Sequence, residues 1–441
     1  MKPIFKRILT SPVFITAFAF ALRMVLMYAE SRMGPNPVRT DTPYGYELGR
    51  VARAITAGLG FSSPLRMVDT GPTVWFTPIY PYFVAGIFKL FGIYSYLSEI
   101  IIQISNSAFA ALTIIPIHAI ARKTYGNGVA TGAAWAWAFF PTALFFPIMW
   151  IWDTALAALF FALIFWATLA LRENRNLPAW IGYGALWALG GLTNPSILSL
   201  LPFFLGWLIW EAHKESAPWA RNVAAALLVF AIGLVPWTIR NYRVFDKLIV
   251  LRSNFGLELW LGNNPDVTDT MSQWKHPNDN PAEAEKYKSM GEIAYMAEKQ
   301  HEAFAYMRSH PLDTINFMFR RFVENWLGIT DSPADVWAYV PLYAKAFLAM
   351  NCLFSLFSFI GVLYLSRARQ GEGLLYASVL LIFPLVFYLT HSSLRYRFPI
   401  DPIMMVLAAG ALGHLVSLAR NRSSDGTKLA IPASSIMAGS K

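Results

Sequence analysis

Basic residues alternate with long apolar runs along this chain, and that pattern constrains the fold more than any other feature. Basic pairs stand at Arg122/Lys123, Arg172/Arg175, Lys214/Arg221, Arg367/Arg369 and Arg420/Arg422. Each follows an apolar stretch long enough to cross a bilayer, and every second junction lacks such a pair. A spanning helix needs about 20 mostly apolar residues, and Lys and Arg collect on the cytoplasmic side. The expected fold is therefore an all-α polytopic membrane protein of about ten helices: 11–29, 97–121, 128–146, 150–171, 178–192, 195–211, 219–239, 342–365, 373–390 and 399–418. Ten crossings put both termini and all five basic junctions in the cytoplasm. The remaining charged loops then gather on the outer face of the plasma (inner) membrane.

Composition agrees. Only 14% of residues are charged, against roughly 25% in soluble domains. The net charge of +10 is scattered over helix ends, as membrane anchoring requires, and this argues against nucleic acid as a partner. Cys352 is the single cysteine, so no intramolecular disulfide can form. The run 11–28 follows Lys2, Lys6 and Arg7 without a small-residue cleavage site, and reads as a first membrane helix. The stretch 74–91 carries Pro78, Pro81 and Lys89. If it crossed, every later basic pair would face outward, so it is expected as an interfacial or partly re-entrant helix.

Four regions follow. Residues 1–241 form a membrane module that includes the first outer loop, 30–98. Residues 242–340 form a mainly helical outer insertion, 341–420 the last helices, and 421–441 a disordered cytoplasmic tail. Within the insertion, Ile315, Phe319, Phe322 and Trp326 recur at helical spacing. That stripe is expected to pack onto the membrane domain. His276 and His301 read as surface residues.

A few polar residues break the apolar pattern on the outer side. In the first loop, helical composition over 46–57 puts Glu47, Arg50 and Ala54 on one face, either as an exposed ion pair or as part of a site. Asp153 follows the aromatic run 145–152, where a carboxylate can cap a helix or do chemistry at the membrane edge. Arg240 stands at the exit of the seventh helix. Arg395 and Arg397 flank Tyr396 in the last short outer loop, against the positive-inside trend. The planar guanidinium fork suits a phosphate there, and a polyprenyl phosphate is the anion that would lie at that depth.

Five segments in order carry a resemblance that covers about residues 1–420. They are Gly58-Leu-Gly-Phe-Ser-Ser-Pro64 after the acidic first-loop helix, Thr77-Pro-Ile-Tyr-Pro-Tyr82 before Lys89-Leu-Phe-Gly92, Leu192-Thr-Asn-Pro195, Pro236-Trp-Thr-Ile-Arg-Asn-Tyr242 with Gly262-Asn-Asn-Pro265, and Arg395-Tyr-Arg-Phe-Pro-Ile-Asp-Pro402. The chain resembles GT-C type membrane glycosyltransferases, in particular the family 39 and protein-mannosyltransferase-like group related to lipid A aminoarabinose transferases. The resemblance implies inverting transfer of a sugar from a polyprenyl-phosphate-linked donor, with a first-loop carboxylate as general base on the acceptor hydroxyl. The acceptor is a lipid, a glycan or a protein.

One departure matters. Where the family has an acid near the start of the first-loop helix, this chain has Tyr44. Glu47 and Asp41 flank that place, and Glu47 is favoured because it lies on the predicted helix. Arg240 and Asp153 fall where the family often has a polar residue near the donor, joining Arg395, Arg397 and Tyr396. Asn194 replaces a common Arg and receives no role. Glu47, Asp41 and Asp153 are hard oxygen ligands that could share a divalent cation, Mg or Mn. The competing classes are a transporter or flippase of lipid-linked sugars, which calls for inverted repeats meeting at the midplane, and a non-catalytic scaffold of a glycan assembly.

Overall fold

The computed structural model describes residues 7–33, 46–66, 69–216, 218–328 and 341–428. The fold is almost wholly helical, and the described residues pair as β structure only in one isolated bridge, Ser62 with Pro72. The chain begins with α1 (Pro12–Met33), then the first-loop helices α2 (Glu47–Thr56) and α3 (Ile79–Phe91). The bundle continues with α4 (Tyr96–Leu112), α5 (Ile114–Tyr125), α6 (Asn127–Phe139), α7 (Pro141–Met149), α8 (Thr154–Leu171), α9 (Leu177–Thr193), α10 (Leu201–Lys214) and α11 (Ala220–Phe245). The insertion holds α12 (Phe255–Gly262), α13 (Pro281–Met290), α14 (Glu292–Ser309) and α15 (Pro311–Leu327). Last come α16 (Leu342–Ala368), α17 (Gln370–Ile382), α18 (Leu385–Leu389), α19 (Leu394–Arg397) and α20 (Asp401–Lys428).

Eight helical stretches among the described residues are long and apolar enough to cross a membrane, or nine if the bent pair α6/α7 counts as one. The difference from ten lies in α9, whose 17 residues are diluted by Gly182, Gly184, Gly190 and Gly191. This is a multi-pass membrane protein. The helix α3 is apolar but only 13 residues long, about 20 Å at 1.5 Å per residue, too short to cross. Helix α20 runs on to Lys428, beyond the expected end of order at 420, and residues 429–441 lie outside the described residues.

Small residues let the helices close on one another, as bilayer packing favours. A Cβ at Gly184 of α9 would sit 2.2 Å from the Ala226 carbonyl oxygen of α11, and one at Gly361 of α16 would sit 2.2 Å from that of Leu407 in α20. At the far end of the bundle, the basic junctions meet acids. Arg172 bonds Glu211 at 2.8 Å and Glu372 at 3.3 Å, and Lys123 pairs with Glu173 at 3.2 Å. Helix α8 connects that belt to Asp153 at its other end; its 18 residues span about 27 Å, close to a hydrocarbon core. The basic junctions and Asp153 therefore occupy opposite sides of the membrane-spanning layer.

The insertion is welded to the first loop by one buried carboxylate. Glu292 accepts from the Val74 backbone N–H (2.9 Å), the Ser253 hydroxyl (2.5 Å), the Tyr287 hydroxyl (2.6 Å) and Thr73 Oγ1. The Gly262-Asn-Asn-Pro265 segment docks the insertion onto the C-terminal helices, since Asn263 Nδ2 donates to the Leu389 carbonyl at 2.7 Å. Gly262 is required there: a Cβ would fall 1.7 Å from the Thr390 carbonyl oxygen.

Candidate active site

Where α2, the start of α8, the end of α9, the insertion and the loop before α19 converge, they enclose a cavity of about 480 Å³. Helix α2 enters it end-on. Leu48, Val51 and Ala52 are buried on one side of the helix, and left-handed glycines at Gly58 and Gly60 end its path. Glu47, the first helical residue, is thereby left at the cavity wall.

Residues of the insertion fix that carboxylate. Asn278 Nδ2 donates to Glu47 Oε1. Asn278 is itself held, because its Oδ1 accepts from Arg50 Nη1 at 2.7 Å and from the Arg66 backbone N–H at 3.0 Å. His276 Nδ1 accepts the Asn278 backbone N–H at 3.2 Å. A neutral imidazole then carries its proton on Nε2, which lies 3.8 Å from Glu47 Oε1. His276, expected on the surface, is in fact buried against Trp75 and lines the cavity.

Asp153 stands opposite, just before α8. It makes no side-chain cap bond to the helix and accepts from Asn194 Nδ2 at 3.2 Å. Burial pushes Asp153 up to about 6, against the pull of Arg252, Arg395 and the Asn194 hydrogen bond. Arg395 lies over the Trp152 ring, its guanidinium carbon 4.2 Å from the ring centre, and donates to the Tyr396 hydroxyl at 3.0 Å. Tyr396 stacks on Phe387. Arg252, from the insertion, lines the cavity and forms no hydrogen bond to any described residue.

A second carboxylate–imidazole pair closes the wall. His391 Nε2 lies 2.5 Å from Glu258 Oε2, and Asn254 Nδ2 donates to Glu258 Oε1 at 2.7 Å. Burial works against the Glu258 charge, but the charge and hydrogen bond of His391, with Arg252 nearby, hold its carboxyl at about 2.

The structure thus brings Glu47, Asp153, Arg395 and Tyr396 to one cavity. Arg240 and Arg397 lie elsewhere. Arg240 donates to the carbonyls of Thr73 (2.7 Å) and Phe61 (2.8 Å) and lies against the rings of Phe61 and Trp237. Arg397 is fully buried, bonding Asp401 at 2.8 Å, the carbonyls of Asn325 and Trp326, Ser355 and Asn351. Asp41 and Tyr44 lie outside the described residues. Sequence reasoning missed Asn194, Arg252, Glu258, His276, Asn278 and His391. Asn194 and His391 stood inside quoted motifs or beside them, whereas the others sit in a loop-rich insertion without periodic signal.

Among the described residues, no three His, Cys, Asp or Glu side chains converge as a metal site. Asp41, one of the three acids expected to share a divalent cation, lies outside the described residues.

This membrane helix bundle, with a polar cavity between a first-loop helix and an outer insertion, is similar in fold to GT-C type membrane glycosyltransferases. Residues 75–237 match the family model for dolichyl-phosphate-mannose-protein mannosyltransferase. The structure is similar to the archaeal oligosaccharyltransferase AglB from Archaeoglobus fulgidus in complex with an inhibitory peptide and a dolichol-phosphate. The TM-score is 0.56 at 15% identity, covering 97% of this chain and 52% of that one. The Archaeoglobus fulgidus oligosaccharyltransferase in complex with Zn and sulfate matches with a TM-score of 0.55 at 15% identity, covering 95% of this chain and 51% of that one. This chain spans about half the length of those proteins. No curated protein sequence matches it.

Proposed function

We propose that this protein is a membrane glycosyltransferase that moves a sugar, with inversion, from a polyprenyl-phosphate carrier to an acceptor hydroxyl. One observation carries the reading: the Glu47 carboxylate, held by a hydrogen bond from Asn278, shares a cavity at the membrane edge with two guanidinium groups, Arg252 and Arg395. The family match over 75–237 and the dolichol-phosphate in the archaeal complex support a lipid-phosphate donor.

The chemistry follows from those groups. Glu47 takes the proton of the acceptor hydroxyl as its oxygen attacks the anomeric carbon. The bond from that carbon to the phosphate oxygen breaks from the opposite face, and its electron pair leaves on the phosphate. A phosphate leaving group needs cations, not a proton, and Arg252 and Arg395 supply them in a wall where charge is poorly screened. Asp41 remains the other first-loop candidate for the base. Asp153 and Tyr396 border the sugar, and Asn278 and His276 act through Glu47. Arg240 and Arg397 hold the framework.

The test is transfer from a panel of radiolabelled polyprenyl-phosphate sugars in native membranes containing acceptors. Transfer from at least one donor, reduced by Arg252→Ala and Arg395→Ala, is the expected result. A wild-type protein that transfers from none of them, or that moves the donor across the bilayer intact, would overturn the reading.

A further inference from the structure

Helix α15 is amphipathic in the reverse sense from a water-facing helix. Its inward face is polar, with Thr314, Arg321, Glu324 and Asn325 buried. Arg321 fills that face, donating to the carbonyls of Thr270 (3.1 Å), Tyr388 (3.0 Å), Leu389 (3.1 Å) and Gly262. The outward face carries Leu312, Ile315, Phe319 and Phe322, which are 80%, 63%, 63% and 43% exposed. These four fall within an arc of about 80° at 3.6 residues per turn. Of the stripe expected to pack onto the membrane domain, Phe322 and Trp326 reach it, while Ile315 and Phe319 point away from the protein.

The surroundings identify what covers it. Phe322 packs against Tyr388 at 5.7 Å, at the outer end of the membrane span Gln370–Leu389. That span continues the apolar surface through exposed Leu385 and Leu389. On the other flank Trp326 packs on Phe359 of the span α16 at 4.7 Å, beside the exposed Leu356, Ile360 and Leu363 of that helix. The stripe is thus the rim of the bilayer-facing surface. Arg320, beside the stripe, donates to the Thr268 carbonyl at 3.2 Å.

We propose that α15 lies in the membrane plane, with Leu312, Ile315, Phe319 and Phe322 inserted into the leaflet on the side of the cavity. Because Arg321 grips the Tyr388 and Leu389 carbonyls from the same helix, the seated helix sets the height of the loop carrying His391 above the lipid. This inference goes beyond the proposed reaction and does not depend on it.

The full-length protein carrying Cys352→Ser and a single Phe319→Cys or Ile315→Cys, labelled with an environment-sensitive fluorophore, is reconstituted in phosphatidylcholine–phosphatidylglycerol vesicles. Leu363→Cys on a bilayer-facing span and Glu285→Cys on the exposed insertion serve as references. Quenching by doxyl-labelled lipid as strong as at Leu363, with little quenching by iodide, is the expected result at both positions. Iodide quenching like that at Glu285 would overturn the proposal, as would labels shielded from both quenchers by another protein surface. The two sites keep the test open if one variant fails to fold.

Discussion

Asn278, in the outer insertion, donates its side-chain amide to Glu47, which opens the first-loop helix 231 positions earlier in the chain. The same asparagine accepts from Arg50 and presents its backbone N–H to His276. One residue therefore sets the orientation of the carboxylate, through its side chain, and the tautomer of the imidazole beside it, through its backbone N–H. The insertion is part of the candidate catalytic apparatus and not a cover laid over it.

Replacing Asn278 with Ala leaves Glu47 in place but free to rotate. A misplacement of about 1 Å can cost about a hundredfold in rate, so kcat is expected to fall by roughly ten- to a hundredfold with little change in donor KM. Steady-state kinetics with donor and acceptor varied separately check this.

The arginines divide by what they touch. Arg252→Ala and Arg395→Ala are expected to weaken donor binding while the protein stays folded, since both line the cavity. Arg397→Ala leaves Asp401 buried without its partner, and losing one partner of a buried pair costs about 3–5 kcal/mol. Thermal unfolding in detergent beside polyprenyl-phosphate binding separates the two outcomes.

Asp153 gives a pH signature. Burial raises its carboxyl from the ordinary 3.8 to about 6, so the folded protein keeps a proton there that the unfolded chain has released. Stability from this group is full below about pH 4 and declines as pH rises through 6. Asp153→Asn should melt higher than wild type at pH 7, and the difference should vanish at pH 4. Melting curves at the two pH values test this independently of activity.

Glu258 and His391 tie the insertion to the C-terminal loop. Leaving either without its partner costs about 1–3 kcal/mol, so Glu258→Gln and His391→Ala should each lower the melting temperature. The double variant should lose clearly less than the sum, as expected for directly coupled residues. Because Glu258 is held at about 2, the stabilisation is present above its ordinary 4.5 and fades as pH falls from there towards 2.

Much of the fold was legible because bilayer burial writes itself as long apolar runs, and the short α3 was set apart from the spans by its prolines and Lys89. Helix α9 was harder to size, since four glycines, one of them (Gly184) packed against α11, replace the bulk that marks a span. In the site, Glu47, Asp153, Arg395 and Tyr396 stood out as polar residues breaking an apolar pattern. Arg397 gave the same signal for a different cause, a buried pair with Asp401 that only the packing reveals. Asn278, His276 and Arg252 were invisible in the sequence because the insertion folds back over the first loop, and no periodicity reports a contact between residues so far apart. The stripe on α15 was legible as apolar, but only Phe322 and Trp326 of it meet the membrane helices, because spacing shows a face without showing what it meets.

The most direct measurement is single-turnover transfer from the active polyprenyl-phosphate sugar by wild type and Glu47→Gln, with donor binding followed in parallel. The account predicts that the carboxamide variant binds donor like wild type and loses transfer by about a hundredfold or more, while wild type yields product of inverted anomeric configuration. Undiminished transfer by Glu47→Gln, or product that retains the donor configuration, would contradict it.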